Sequence, residues 1–128
     1  MARILIVEDD PGSMDLALRI VRIEGHEPIT TADGHTALVV AFAVRPDLIL
    51  LDLHIPKLDG WTFVKRFREQ EWAKRVPVIA VSASATPPER DLALLAGCDD
   101  FLAKPFYPEG LRAILEKHLR TPVAGFER

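Results

Sequence analysis

Ile4-Leu5-Ile6-Val7-Glu8-Asp9-Asp10-Pro11 sets the pattern that the rest of this chain repeats. Its four apolar residues run continuously rather than alternating with polar ones, as expected of a strand covered by helices on both faces. The run stops on acids. Asp10-Pro11 then supplies an N-cap and a proline at the first helical position, where a missing N–H removes no helical bond. A strand feeding directly into a helix opens a βα unit, and similar apolar runs recur at Leu48 to Leu51, Val78 to Val81 and Phe101 to Ala103. A weaker segment, Pro28 to Ala32, carries a proline that suits an edge strand.

The intervening stretches carry helix punctuation. Gly25 can close the first helix in a left-handed conformation. Thr86-Pro87-Pro88-Glu89 matches a capping box, and Pro108 opens a last helix whose Leu111, Ile114, Leu115 and Leu119 recur at helical spacing. Asp59-Gly60 reads as a turn and helix start. The stretch Leu38 to Val44 is apolar on too many sides for a simple surface helix, so either it packs generously on the sheet or it leaves a strip for a partner or a homodimer.

The chain has 128 residues, 48% of them hydrophobic and 27% charged. That is one domain, placed at residues 1–120, with a loose tail over 121–128. Folding at this length buries about two-thirds of the unfolded surface, enough for a core without disulfides or structural zinc. The lone Cys98 reads as a small buried hydrophobe. A net charge of -3 gives none of the basic footprint that direct nucleic-acid binding needs. The amino terminus meets acids after four apolar residues, too soon for a signal peptide or membrane insertion, so a cytoplasmic location is expected.

Five strands with helices between them predict a doubly wound parallel α/β sheet of order 2-1-3-4-5, whose ligands sit beyond the carboxyl ends of the strands. The residues immediately after the apolar runs are Glu8 and Asp9, Asp52, Ser82 and Lys104. All would meet at one edge. Three crowded carboxylates raise one another's pKa unless a cation compensates, and oxygen-rich acidic sites favour a hard ion such as Mg2+. With Lys104 and a divalent ion the pocket becomes formally neutral and suits a phosphoryl group. One aspartate would remain free as a nucleophile, Lys104 would neutralise charge on the transferring group, and the Ser82 hydroxyl could bond a phosphoryl oxygen. Ser84 and Thr86 are rivals for the hydroxyl role; spacing favours Ser82, and the capping box occupies Thr86.

The motifs Ile4-Leu5-Ile6-Val7-Glu8-Asp9-Asp10, Asp52-Leu53-His54-Ile55-Pro56-Lys57-Leu58-Asp59-Gly60, Val81-Ser82-Ala83 and Lys104-Pro105-Phe106 occur in that order, each at the end of an apolar run. From Arg3 to about Leu119 the chain resembles the receiver domains of two-component response regulators, with their flavodoxin-like fold. The resemblance implies that Asp52 is the phosphoacceptor and also a magnesium ligand, that Asp9 binds the ion directly and Glu8 either directly or through water, and that His54 adds its backbone carbonyl. It also implies that Lys104 pairs with the phosphoryl group, that Ser82 is drawn toward it, and that Phe101, at the family's aromatic switch position, turns inward. By the same resemblance the Lys104-Pro105 bond is cis, and the side chains of His54 and Ser84 flank the pocket where they could tune phosphate lifetime.

The implied partners are a histidine kinase or histidine phosphotransfer protein as donor and a downstream protein that contacts the face of the fourth helix, fifth strand and fifth helix. Such a switch catalyses only its own phosphorylation and dephosphorylation. An aspartate-dependent phosphohydrolase typically carries a second aspartate two residues after the nucleophile, where this chain has His54. Glu8-Asp9-Asp10-Pro11-Gly12 is no P-loop, and the acids would repel a flavin phosphate. A pseudo-receiver working without phosphorylation is the alternative, as is a receiver excised from a larger regulator or hybrid kinase. The expected form is a stand-alone regulator. His26, His35 and His118 lack ligand spacing and read as surface or packing residues.

Overall fold

Each apolar run becomes a strand and each capped stretch a helix. The computed structural model describes residues 1–119, so the expected tail over 121–128 lies outside the described residues. The strands are β1 (Arg3–Val7), β2 (Glu27–Thr31), β3 (Leu48–Asp52), β4 (Val78–Ser82) and β5 (Asp100–Ala103). Between and after them lie α1 (Pro11–Ile23), α2 (Gly34–Val44), α3 (Gly60–Phe67), α4 (Pro87–Ala96) and α5 (Pro108–Leu119), with a short 3-10 turn at Trp72–Arg75. All pairings are parallel and the order is β2-β1-β3-β4-β5, as the sequence predicts. Pro28 lies on the edge strand β2, where its missing N–H is tolerated.

The continuous apolar runs divide by alternation into two cores. Ile4, Ile6, Leu48, Leu50, Ile79 and Val81 face α1 and α5, meeting Ile20, Val21, Leu111 and Leu115. Their neighbours Leu5, Val7, Ile49, Leu51, Val78 and Ala80 face the other way, against Ala37, Ala41, Phe63, Phe67 and Ala93 of α2, α3 and α4. Both faces of every central strand are thus dry, which is why the pattern does not alternate in the sequence. No described helix is long and apolar enough to cross a membrane.

The α2 stretch resolves mainly into packing. Ala37 and Ala41 are buried, Leu38 and Val40 lie against the core, and Phe42 stacks on Phe67 at 6.2 Å. Val39 alone stands well out, 70% exposed. The helix ends follow the punctuation. α1 closes with Gly25 at φ 86° and paired bonds from the Gly25 and His26 N–H groups to the carbonyls of Arg22 and Val21. Asp10, Asp33 and Asp59 cap α1, α2 and α3, accepting from the N–H groups of Ser13, Thr36 and Thr62. His26 accepts the Ala2 N–H through Nδ1, and His118 pairs with Asp100, so both serve packing.

The cap on α3 matters most for the site, because α3 follows the loop after β3. A Cβ at Gly60 would come within 2.7 Å of the Leu53 Cα and 3.2 Å of the Asp52 carbonyl oxygen, so only glycine lets the helix start this close to the strand end. Asp59→Ala is expected to lower stability by about 1 kcal/mol in chemical denaturation, the usual worth of such a cap. Bonds from the backbone N–H and hydroxyl of Thr62 hold the Asp59 carboxyl below its ordinary 3.8 despite partial burial. Its contribution is therefore complete above that value and fades as the pH falls through the lower folded-state value, and the stability gap between wild type and variant should close in the same window. Burial pushes the Cys98 thiol up to about 12. Native protein at pH 8 should resist alkylation by iodoacetamide, and unfolded protein should react.

Candidate functional site

Register brings the polar strand ends together. Val7 pairs with Leu51, Asp52 with Val81 and Ser82 with Ala103, so Glu8, Asp52, Ser82 and Lys104 arrive at one level of the sheet edge. The Lys104 N–H donates to the Ser82 carbonyl at 2.8 Å, fixing the fifth strand's exit against the fourth. The Lys104-Pro105 bond is cis, as the resemblance implies.

At the centre, the Lys104 ammonium lies 2.7 Å from Glu8 Oε1 and 2.9 Å from Asp52 Oδ2. Glu8 and Asp52 are only 5% and 6% exposed. Their remaining oxygens are also engaged: Glu8 Oε2 accepts the Asp10 N–H at 3.0 Å, and Asp52 Oδ1 accepts the His54 N–H at 2.9 Å. Burial raises the pKa of both carboxyls, but the outcomes differ. For Asp52, the His54 N–H, Glu8 and Lys104 outweigh burial and hold the carboxyl below its ordinary value. For Glu8, burial and the neighbouring Asp52 charge prevail over Lys104, and its carboxyl sits above the ordinary range. Lys104 is raised: burial opposes its charge, yet the two carboxylates more than compensate. The pocket thus keeps Asp52 anionic and puts strain on Glu8.

Asp9 is exposed beside this pair. Glu8, Asp9 and Asp52 each offer a carboxylate oxygen within 4.8 Å of the others. Three carboxylates against one ammonium leave two negative charges, and an all-oxygen donor set of this kind fits Mg2+. The sequence-predicted acids and lysine therefore form one site, and register puts Ser82 at the same strand-end edge.

Other assignments come out differently. Phe101 is already inside, 7% exposed, packed in the core with the Arg90 guanidinium 5.4 Å from its ring centroid. The expected inward turn therefore has no outward ring to start from, because β5 directs this residue toward α4 and the core. Ser82 is completely buried; its Oγ accepts the Ser84 N–H at 3.1 Å and bonds Glu89 Oε1 at 3.0 Å. Ser84 thus contributes its backbone to the serine. The His54 side chain crosses to Glu89 Oε1 at 2.8 Å and meets the Trp61 ring edge-on at 5.4 Å. Thr86 caps α4, accepting the Glu89 N–H.

Glu89 is the residue that sequence reasoning missed. It was assigned to a capping box, in which its carboxylate would return to the Thr86 N–H. Only the threonine half of that box forms; the carboxylate turns instead to Ser82 and His54. The available signal was the position of Glu89 at the start of the helix that follows β4, within reach of the strand end.

The fold and this acidic, lysine-bridged edge define a doubly wound α/β domain with an acidic site that could hold a divalent cation. The chain belongs to the response regulator receiver domain family, whose pattern it matches over residues 4–116. It is 36% identical to the DNA-binding dual master transcriptional regulator RpaA of Synechocystis sp., over 97% of this chain and 53% of that protein. It thus spans about half the length of that relative. With the polar-differentiation response regulator DivK of Brucella anthropi the identity is 34%, over 80% of this chain and 83% of that one. Among solved structures, the receiver domain of the sensor histidine kinase PA1611 from Pseudomonas aeruginosa superposes with a TM-score of 0.87 at 38% identity, covering 94% of this chain and 98% of that one. That structure holds a magnesium ion in its active-site cleft.

Lys104→Met should raise the Asp52 carboxyl pKa, since it removes a bond and a charge that lower it. A carbon-detected NMR titration of the side-chain carboxyls reads this directly. An Asp52 value that stays put or falls would contradict the electrostatic role given to Lys104.

Proposed function

We propose that the chain is a phosphorylation-dependent switch that accepts a phosphoryl group on Asp52 from a phosphohistidine donor, a histidine kinase or a histidine phosphotransfer protein. The observation that carries this reading is the Asp52 carboxylate itself, buried yet held anionic by Lys104 and the His54 N–H. An Asp52 oxygen attacks phosphorus, the new O–P bond forms as the P–N bond breaks, and the imidazole nitrogen keeps the electron pair. Lys104 follows the charge that develops on the phosphoryl oxygens. Glu8, Asp9, Asp52 and the His54 carbonyl would hold Mg2+, which when bound supplies compact positive charge to the incoming phosphoryl oxygens. The magnesium in the PA1611 receiver cleft supports a magnesium site at this edge, and the three carboxylate oxygens of Glu8, Asp9 and Asp52 within 4.8 Å of one another support the acids as its ligands.

The chain then works as a signal rather than as a turnover enzyme, catalysing only its own phosphorylation and dephosphorylation. The Ser82 hydroxyl moves to the phosphoryl group and the change passes to α4, β5 and α5, the face proposed to meet a downstream protein. α4 is suited to this. Ala93 is its one buried residue, while Leu92, Leu94 and Leu95 are exposed. Phe101, already packed, acts here as a floor for α4 through Arg90. Proposed roles in phosphate lifetime rest with His54 and Ser84, both of which border Ser82 or Asp52.

Incubation with acetyl phosphate should add one phosphoryl group by intact-mass spectrometry, only with Mg2+ present, and Asp52→Asn should abolish the gain. Labelling that persists in the asparagine variant would refute Asp52 as acceptor. A wild-type chain that takes no phosphoryl group from acetyl phosphate or from a phosphohistidine donor would favour the pseudo-receiver reading.

A further inference from the structure

A serine hydroxyl has one proton to give. In this structure the Ser82 proton has a definite recipient. A glutamate carboxylate accepts, so the Ser82 Oγ–H donates to Glu89 Oε1 at 3.0 Å, and His54 Nε2 stands 2.8 Å from the same oxygen. The Ser82 lone pairs meanwhile take the Ser84 N–H. Both functions of the hydroxyl are therefore committed, the proton to Glu89 and a lone pair to the Ser84 N–H.

A phosphoryl group also accepts only. It would compete with Glu89 for that single proton, and two anions cannot share it. We propose that Glu89 is the latch of the switch: its carboxylate holds the Ser82 hydroxyl in the unmodified chain, and a phosphoryl group on Asp52 engages Ser82 only by displacing it. This rests on the phosphorylation reading above and names the restraint that phosphorylation must release. It also gives the signal a route. Glu89 lies in the first turn of α4, a helix with Ala93 as its one buried residue, so losing the bond to Ser82 frees that turn from the β4 end and leaves His54 as its side-chain tie to the segment after β3. Glu89 is a positioning residue that acts through Ser82.

The test is a double-mutant cycle with beryllofluoride as the acyl-phosphate mimic, a probe that has activated the receiver domain of Klebsiella pneumoniae RstA. With Mg2+ present, Glu89→Ala should lower the half-saturating beryllofluoride concentration about fivefold, the worth of one typical hydrogen bond. In a Ser82→Ala background the same substitution should change it little, since the latch has nothing left to hold. Glu89→Gln, which keeps length and an acceptor, should fall between, and it carries the test if the alanine variant does not fold. No gain in either variant, or an equal gain in both backgrounds, would overturn the proposal; the second result would mean simple charge repulsion.

A second readout needs no phosphate chemistry. The Ser84 amide resonance in the unmodified chain should shift on Glu89→Ala, because its acceptor Ser82 Oγ is released. If wild type binds no beryllofluoride and takes no phosphoryl group, the functional reading fails by itself. The Ser84 resonance then decides the latch: a shift upholds the hold on Ser82, and an unmoved resonance removes it.

Discussion

One ammonium group holds the top of this sheet together. Lys104 stands between two carboxylates that burial has taken out of water, and its charge works against that burial at both. Desolvation works against all three groups, so the arrangement persists because each oxygen of the two acids has a donor. The result is asymmetric. Asp52, with the His54 N–H on one oxygen and Lys104 on the other, remains an anion, whereas Glu8 is left the more strained of the two. A site of this kind has unsatisfied demand for positive charge.

The scaffold contributes by register and by caps. Parallel pairing puts every strand's carboxyl end at the same edge, and a shift of one residue in any strand would take its terminal side chain to the opposite face. Aspartate caps then start α1, α2 and α3 within a few residues of that edge, so the loops stay short and the backbone N–H groups of Asp10 and His54 are aimed into the site. The glycine at position 60 belongs to the same economy of space. Helix starts and pocket walls are made from the same residues.

Around this rigid centre lies a softer rim. Ser82, Glu89, His54 and Trp61 form a chain of contacts that spans the ends of β4 and β3 and the first turns of α4 and α3. Its members are joined by side-chain hydrogen bonds and an edge-on ring contact, and α4 adds Ala93 as its one buried residue. A domain whose centre is fixed and whose rim is held by exchangeable bonds can respond to a new anion without changing its fold. Phe101, by contrast, is already part of the core.

The strand order, the edge position of β2, the cap at Asp10, the helix start at Asp59-Gly60, and the meeting of Glu8, Asp9, Asp52 and Lys104 at an edge shared with Ser82 were all legible in the sequence. They follow from local pattern: apolar runs of strand length, prolines and glycines at helix ends, and polar residues where each run stops. Parallel βα geometry turns those positions into one site without further information. The partners of individual side chains were not legible. Whether Glu89 completed its own capping box or reached Ser82 and His54 depended on residues brought near by the sheet, one of them 35 positions away. The burial of Phe101 depended on α4 and Arg90 lying over it, and the apolar surplus of α2 became packing only because Phe67 and Trp72 came to meet Phe42. Sequence determined where chemistry could gather, because backbone hydrogen bonding and burial obey short periods. Tertiary structure decided which group holds which proton, because that choice is made between neighbours the chain does not list side by side.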